Sequence, residues 1–284
     1  MASLSVSIII TTYNWPQALS QVLEAIKLQY DNHPLEVIVA DDGSTQETAR
    51  LIHLIKASYP VPLYHVWQPD EGFQAAKIRN RAIAKASYDY IIFLDGDCVP
   101  LSGFLKNHRK LAERGCLVYG NRILLNKKLT SNILQSPHNM THKNLFFWVK
   151  ARFNGNINRL LPLLRLPLGF LRKKRPGKWQ GVKTCNLAAW RSDLIAVNGL
   201  EEAYQGWGFE DTDLVIRLQK KGIKSKDGRF AIPVVHFWHP EQDKSASQAN
   251  WQRVLNLQTS SIIQASKGIN QYTATASSVE DTLI

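Results

Sequence analysis

Ile91-Ile92-Phe93-Leu94-Asp95-Gly96-Asp97-Cys98-Val99-Pro100 runs four apolar residues straight into two carboxylates separated by a single glycine. The apolar run suits a strand buried on both faces, and Gly96 lets the backbone turn tightly where that strand ends. Both acids are thereby delivered to a strand's carboxyl end, the edge of an open α/β sheet where ligands collect. Hard oxygen donors on a tight turn suit a divalent cation, Mg²⁺ or Mn²⁺, that also binds substrate phosphates. A turn with two solvated aspartates fits the same three residues, so the surrounding chain has to decide.

Toward the amino terminus the pattern repeats. Residues 5–12 are β-branched and apolar, and Asn14-Trp15-Pro16 offers an N-cap with proline in the first helical turn. Leu19, Val22, Leu23 and Ile26 give the following helix one apolar face. A second strand over 35–40 ends in Asp41-Asp42-Gly43-Ser44, again acids and glycine at a carboxyl end. A helix over 45–57, a strand over 61–67, a helix over 74–86 carrying Lys77 and Arg79, and a strand over 88–94 complete the first hundred residues. Such alternation predicts parallel β-α-β units with right-handed crossovers, an α/β fold whose first half binds a nucleotide. Neither Gly-x-Gly-x-x-Gly nor a Gly-Lys-Thr loop is present, which excludes a dinucleotide cradle and a P-loop; a metal on the aspartates has to take the phosphates.

At 284 residues and 44% hydrophobic composition the chain can bury a substantial core. Cys98, Cys116 and Cys185 show no metal-ligand spacing and no even pairing, which suits reduced thiols in the cytoplasm. The amino terminus lacks the basic region of a signal peptide, and no uninterrupted apolar run reaches the ~18 residues of a spanning helix. The formal net charge of +12 is unevenly placed: Arg114 to Ser192 holds sixteen Lys and Arg and no acid, leaving the rest of the chain at −4.

Ser7-Ile8-Ile9-Ile10-Thr11-Thr12-Tyr13-Asn14, Val37-Ile38-Val39-Ala40-Asp41-Asp42-Gly43-Ser44, the Ala-Lys-Ile-Arg-Asn-Arg-Ala run after Gly72, and Asp95-Gly96-Asp97 together resemble glycosyltransferase family 2, inverting nucleotide-sugar transferases with a GT-A fold. The resemblance implies a mixed, mostly parallel sheet flanked by helices. It further implies that Thr11, Tyr13, Asp41, Asp42 and Asp95 face the uracil, ribose or donor sugar of a UDP-sugar, with Asp97 on Mn²⁺ or Mg²⁺. Lys77 or Arg79 could add positive charge beside the phosphates, although exposed basic residues on a helix are usually just solvated.

Gly206-Trp207-Gly208-Phe209-Glu210-Asp211 opens a helix with two carboxylates at its positive end, which a well-capped helix alone would explain. The glycines let backbone approach a ligand, and an indole is a platform for the C–H face of a sugar. This stretch resembles the Trp-Gly-x-Glu-Asp region of β1,4-galactosyltransferases and bacterial chondroitin polymerases. The likeness implies Asp211 as catalytic base and Glu210 as ligand of the acceptor hydroxyl, two roles open to exchange, with Trp207 and Gly208 also binding the acceptor. Val234-Val235-His236-Phe237-Trp238-His239-Pro240 stands where the galactosyltransferases carry a Met-x-x-His metal ligand. His239 is implied as a ligand beside Asp97; His236 replaces the methionine and is either a further ligand or a packing residue.

The stretch 143–183 interleaves Phe146, Phe147, Trp148, Phe153, Leu160, Leu161, Leu164, Leu168 and Phe170 with basic residues. Two readings stay open: an interfacial segment on an anionic leaflet, suited to a lipid-linked saccharide acceptor such as a lipopolysaccharide core, or a lid whose apolar side is ordinary core. No nucleic-acid motif accompanies the charge. The expected organisation is a single GT-A domain over 1–266, with a nucleotide half over 1–100, a basic insert over 126–183, an acceptor and metal half over 184–240, and a flexible tail over 267–284. Residues 241–266 read as a polar helical stretch. The expected activity is metal-dependent, inverting sugar transfer from a UDP-sugar, in the cytoplasm or peripherally on the inner face of the plasma membrane. A non-catalytic saccharide- or nucleic-acid-binding protein on the same fold, or a nucleotidyltransferase, are the alternatives.

Overall fold

The computed structural model describes residues 4–135, 140–173 and 179–273. Its first part follows the alternation of the sequence: β1 (Val6–Thr12), α1 (Pro16–Lys27), β2 (Leu35–Asp41), α2 (Gln46–Lys56), β3 (Leu63–Trp67), α3 (Ala75–Lys85) and β4 (Tyr90–Asp95). After the aspartate turn come β5 (Cys98–Pro100), α4 (Phe104–Leu111), β6 (Cys116–Tyr119), β7 (Arg122–Leu124), α5 (Lys127–Gln135) and α6 (Leu145–Phe153). The remainder holds β8 (Asn186–Trp190), α7 (Arg191–Ala196), α8 (Glu210–Lys220), β9 (Lys224–Asp227), β10 (Val234–His236), α9 (Ser247–Thr259) and α10 (Asn270–Thr273).

A seven-stranded sheet runs β3-β2-β1-β4-β8-β6-β9. The strands β3, β2, β1 and β4 are mutually parallel, β8 is antiparallel to both its neighbours, and β9 is parallel to β6. Because side chains alternate across a strand, Ile8, Ile10, Val37 and Val39 join one buried cluster with Leu19, Val22 and Ile26 of α1. Ile9, Ile38, Ile91 and Phe93 enter a second cluster with Ile78 and Ile83 of α3 and Leu214 and Leu218 of α8. Helices therefore cover both faces, which is why the parallel strands read as uninterrupted apolar runs.

A smaller sheet, β5-β10-β7, sits past the end of β4. Its register opposes His236 to Cys98, and the Phe237 amide donates to the Asp97 carbonyl at 3.0 Å, so the histidine segment is stitched directly to the aspartate turn.

Several local expectations change. Asn14 does not cap α1: its backbone is left-handed and its side-chain oxygen accepts from the Thr45 amide, tying the β1 loop to the start of α2. Gly96 is required by crowding rather than by a left-handed turn, since a Cβ there would lie 2.9 Å from Thr12 Oγ1 while its amide donates to the Thr11 carbonyl at 2.7 Å. The polar helix over 241–266 is confined to α9. Residues 267–273, expected within the flexible tail, are docked: Ile269 is buried, and the Tyr272 hydroxyl donates to Glu202 at 3.0 Å. The rest of that tail lies outside the described residues. The basic insert divides, with Trp148, Ala151 and Ile157 in the core and Phe146, Phe153 and Phe170 exposed.

Candidate active site

Register brings the acids together. Thr11 of β1 lies opposite Asp95 of β4, and Thr12 lies opposite Asp41 of β2, so three parallel strands end at one sheet edge. Beyond it opens a cleft of about 480 Å³ lined by Thr11, Tyr13, Asp42, Asp95, Asp97 and Asp211, and by Arg79, Trp207, Gly208, Glu210, His236 and His239. Every residue expected at the site except Asp41 and Lys77 lines this one cleft.

Those two exceptions have local partners. Asp41 is fully buried, with Oδ1 accepting from the Ser44 amide at 2.8 Å and Oδ2 paired with His65 Nε2 at 2.9 Å; it shapes the loop after β2 rather than facing the cleft. Lys77 turns outward to Glu71 at 3.0 Å. Asp42 does face the cleft, held by Gln68 Nε2 at 2.6 Å and the Gln74 amide at 2.9 Å, and burial pushes its carboxyl pKa up to about 6. Tyr13 is half exposed and donates to Asp70 at 2.8 Å, which places Asp70 on the rim as well.

Arg79 is not a solvated cation on the helix surface. It is buried, and its Nε donates to Thr11 Oγ1 at 2.9 Å while its two terminal nitrogens reach Asp95 and Glu210, each at 3.1 Å. One side chain thus ties β1, β4 and α8 together across the floor of the cleft. Gly208 and Phe209 take left-handed backbone conformations, turning the chain so that α8 starts with Glu210 and Asp211 at its positive end. Burial, and Asp211 beside it, push the Glu210 pKa up against the pull of Arg79. Asp211 Oδ1 lies 3.4 Å from Lys183 Nζ. Asp213, one turn further, belongs to the core with Arg217 at 2.6 Å.

Asp97 has a different environment. Its Oδ2 lies 3.4 Å from the Nε2 atoms of both His236 and His239, and its Oδ1 is buried without a hydrogen-bond partner. His239 Nδ1 lies 2.6 Å from the Pro240 carbonyl, a contact that needs the proton on Nδ1 and turns Nε2 toward Asp97. Burial lowers the His236 pKa, favouring the neutral imidazole that ligates metals. Two imidazole nitrogens and a carboxylate with an unspent oxygen fit a divalent cation. Cys98 also approaches Asp97 and His236, and burial raises its thiol pKa well above the ordinary value.

Sequence reasoning missed Asp70, Arg122 and Lys183, all on the cleft wall. Arg122 and Lys183 stand in the basic stretch, where sixteen cations look alike; only the fold singles them out.

Residues 7–166 match the family model "Glycosyl transferase family 2", and residues 167–239 match "N-terminal domain of galactosyltransferase". Hyaluronan synthase of Pasteurella multocida is 39% identical over 237 residues, covering 79% of this chain and 24% of that protein. Chondroitin synthase of Escherichia coli is 25% identical over 247 residues, covering 79% and 34%. The chain therefore spans between a quarter and a third of the length of these relatives. Among solved structures, S. aureus TarS 1-349 in complex with UDP superposes with a TM-score of 0.60 at 13% identity, over 95% of this chain and 68% of that one. GalNAc-T7 with UDP, GalNAc and Mn²⁺ gives 0.60 at 16% identity, over 89% and 48%.

Proposed function

Because the chain belongs to glycosyl transferase family 2, a GT-A glycosyltransferase, we propose that it moves a sugar from a UDP-sugar to a saccharide acceptor with inversion at the anomeric carbon. Membership argues against a nucleotidyltransferase, and Asp97, Asp211 and His239 on one cleft argue against a non-catalytic binding protein. The observation that carries the proposal is the Asp97 carboxylate with two imidazole Nε2 atoms at 3.4 Å and a buried unpartnered oxygen, at the rim of the cleft that also holds Asp42 and Asp211. Asp97, His239 and His236 would hold Mn²⁺ or Mg²⁺, which when bound offsets the charge developing on the departing diphosphate.

The chain's own groups supply the rest. Asp42 and Tyr13, at the ends of β2 and β1, face the nucleoside, and Asp95 turns toward the ribose or donor sugar. Arg79 holds Asp95 and Glu210 in place; it is a positioning residue. Glu210 spends one oxygen on Arg79 and keeps the other for an acceptor hydroxyl. Asp211, whose Oδ1 has two long contacts, Lys183 Nζ and the Thr212 hydroxyl, each at 3.4 Å, takes the proton as that hydroxyl attacks from the face opposite the leaving group. Trp207, 37% exposed on the cleft wall, offers its indole to the acceptor ring.

Two of the relatives are named as synthases of hyaluronan and chondroitin, which supports a saccharide acceptor; a lipid-carried glycan such as a lipopolysaccharide core is the form the basic segment favours. The test is a thermal-shift panel of nucleotide sugars with and without Mn²⁺, followed by UDP-sugar hydrolysis. A UDP-sugar should stabilise the protein only with the cation, and Asp97→Ala should lose both responses; hydrolysis surviving in Asp97→Ala would remove Asp97 from the metal site.

A further inference from the structure

The cleft leaves one conspicuously exposed apolar stretch of chain, 145–171, unused. Leu145, Phe146, Phe153, Leu161, Leu164, Leu166, Phe170 and Leu171 are all exposed, Phe146, Phe153 and Phe170 at 76%, 85% and 84%. Such a density of exposed large apolar side chains within one short stretch marks an interaction surface. The backbone beneath them is fixed. On α6, Phe146, Lys150 and Phe153 fall on one stripe while Trp148 and Ala151 point to the core. Around Phe170 and Leu171, the buried Arg172 guanidinium donates to the carbonyls of Leu166, Asp227 and Arg229 at 2.7–2.8 Å, so the turn carrying them is anchored to the domain. Exposed aromatic tips on an anchored backbone are displayed, not stray core residues.

We propose that this surface seats the protein on an anionic lipid bilayer, the phenylalanines and leucines entering the headgroup boundary and the interspersed cations meeting lipid phosphates. Charge selects this occupant. Arg114 to Ser192 contains no acid, and among the described residues neither Lys150 nor Arg152 pairs with a carboxylate. A symmetric contact with a second copy would press the same cationic segment against itself, whereas an anionic leaflet complements it. No described helix is long and apolar enough to cross a membrane, so the contact is interfacial. The inference does not depend on the glycosyltransferase reading, and its test needs no turnover.

Co-sedimentation with vesicles of phosphatidylcholine alone and of phosphatidylcholine mixed with phosphatidylglycerol decides it. The protein should pellet with the anionic vesicles, and only weakly with the neutral ones. Phe146→Ser/Phe153→Ser should bind at least about tenfold more weakly, as should Phe170→Ser/Leu171→Ser. Lys150→Glu/Arg152→Glu should bind about tenfold more weakly at low salt, with a smaller difference at high salt. These exposed residues lie outside the cleft and the core, so a circular-dichroism spectrum and thermal unfolding like the parent's serve as the folding control. No binding to anionic vesicles, equal binding to neutral ones, or variants that bind like the parent would each overturn the proposal. So would self-association that the phenylalanine variants abolish, which assigns the surface to a second copy.

Discussion

Arg79→Met is the most demanding perturbation of this structure. The side chains of Arg79 and Glu210 are about 5% and 10% exposed, so their pair is little screened, while the Asp95 side chain is 31% exposed and its pair contributes less. Removing one partner of a buried pair leaves an uncompensated charge and costs about 3–5 kcal/mol. In a domain of this size that lowers Tm by about 10 °C. The loss should depend on pH in a fixed direction. Without the guanidinium, Glu210 and Asp95 lose the group favouring their charged forms, so their folded-state pKa values, already raised by burial in the parent, rise further above the unfolded values of about 4. The deficit is then complete above the raised values and shrinks as pH falls toward the unfolded ones, where both carboxyls are neutral in either state. Urea unfolding of parent and variant at pH 7 and pH 5 should show the gap narrowing. Adding Glu210→Gln to Arg79→Met should recover about 1–3 kcal/mol at pH 7. A loss under about 1 kcal/mol, a pH-independent gap, or strict additivity would refute the idea that Arg79 compensates buried carboxylates.

Two further outcomes test the division of labour among the acids. Asp211→Asn should lower kcat by about 10²–10⁴ with UDP-sugar affinity unchanged, whereas Glu210→Gln should chiefly raise the acceptor KM; the reverse pattern in steady-state kinetics would exchange their roles. Burial holds the Asp42 carboxyl near about 6, so nucleotide affinity measured by calorimetry should weaken as pH falls through that value and the acceptor oxygens become protonated. Asp42→Asn should abolish the inflection.

The first half of the fold was legible because its strands are buried on both faces and its connections are short: continuous apolar runs such as Ile91–Leu94, each followed by acids or glycine, admit few other readings. The placement of His239 beside Asp97 was legible only through the resemblance; physically it follows from β10 pairing with β5 across 136 residues of chain, a contact no local pattern encodes. Arg79 shows the opposite failure. Its neighbours Lys77 and Arg81 are ordinary surface cations of α3, with Lys77 on Glu71 and Arg81 on the Trp67 carbonyl, and nothing local distinguishes the one cation whose partners arrive from β1, β4 and α8. Propensity and spacing report which face of a helix is apolar; they do not report which charge on a mixed face will be covered by a distant element.

What separates the carboxylates of the cleft is the cation each receives. Asp95 and Glu210 share a buried guanidinium, which fixes them in position. Asp211 has a lysine 43% exposed and the Thr212 hydroxyl, each at 3.4 Å, contacts loose enough to release for the proton transfer proposed for it. Asp97 has no arginine or lysine bonded to it among the described residues, only two imidazoles and one buried oxygen without a partner. The buried oxygen, with no hydrogen-bond donor of its own, is a coordination position the fold leaves open. A divalent cation held there would bind the folded state alone, so on the proposed reading it adds to the stability of the fold as well as to the chemistry. The Mn²⁺-dependent thermal shift expected of the parent and absent in Asp97→Ala is therefore a consequence of how the fold distributes its cations, and it should appear before any acceptor is added.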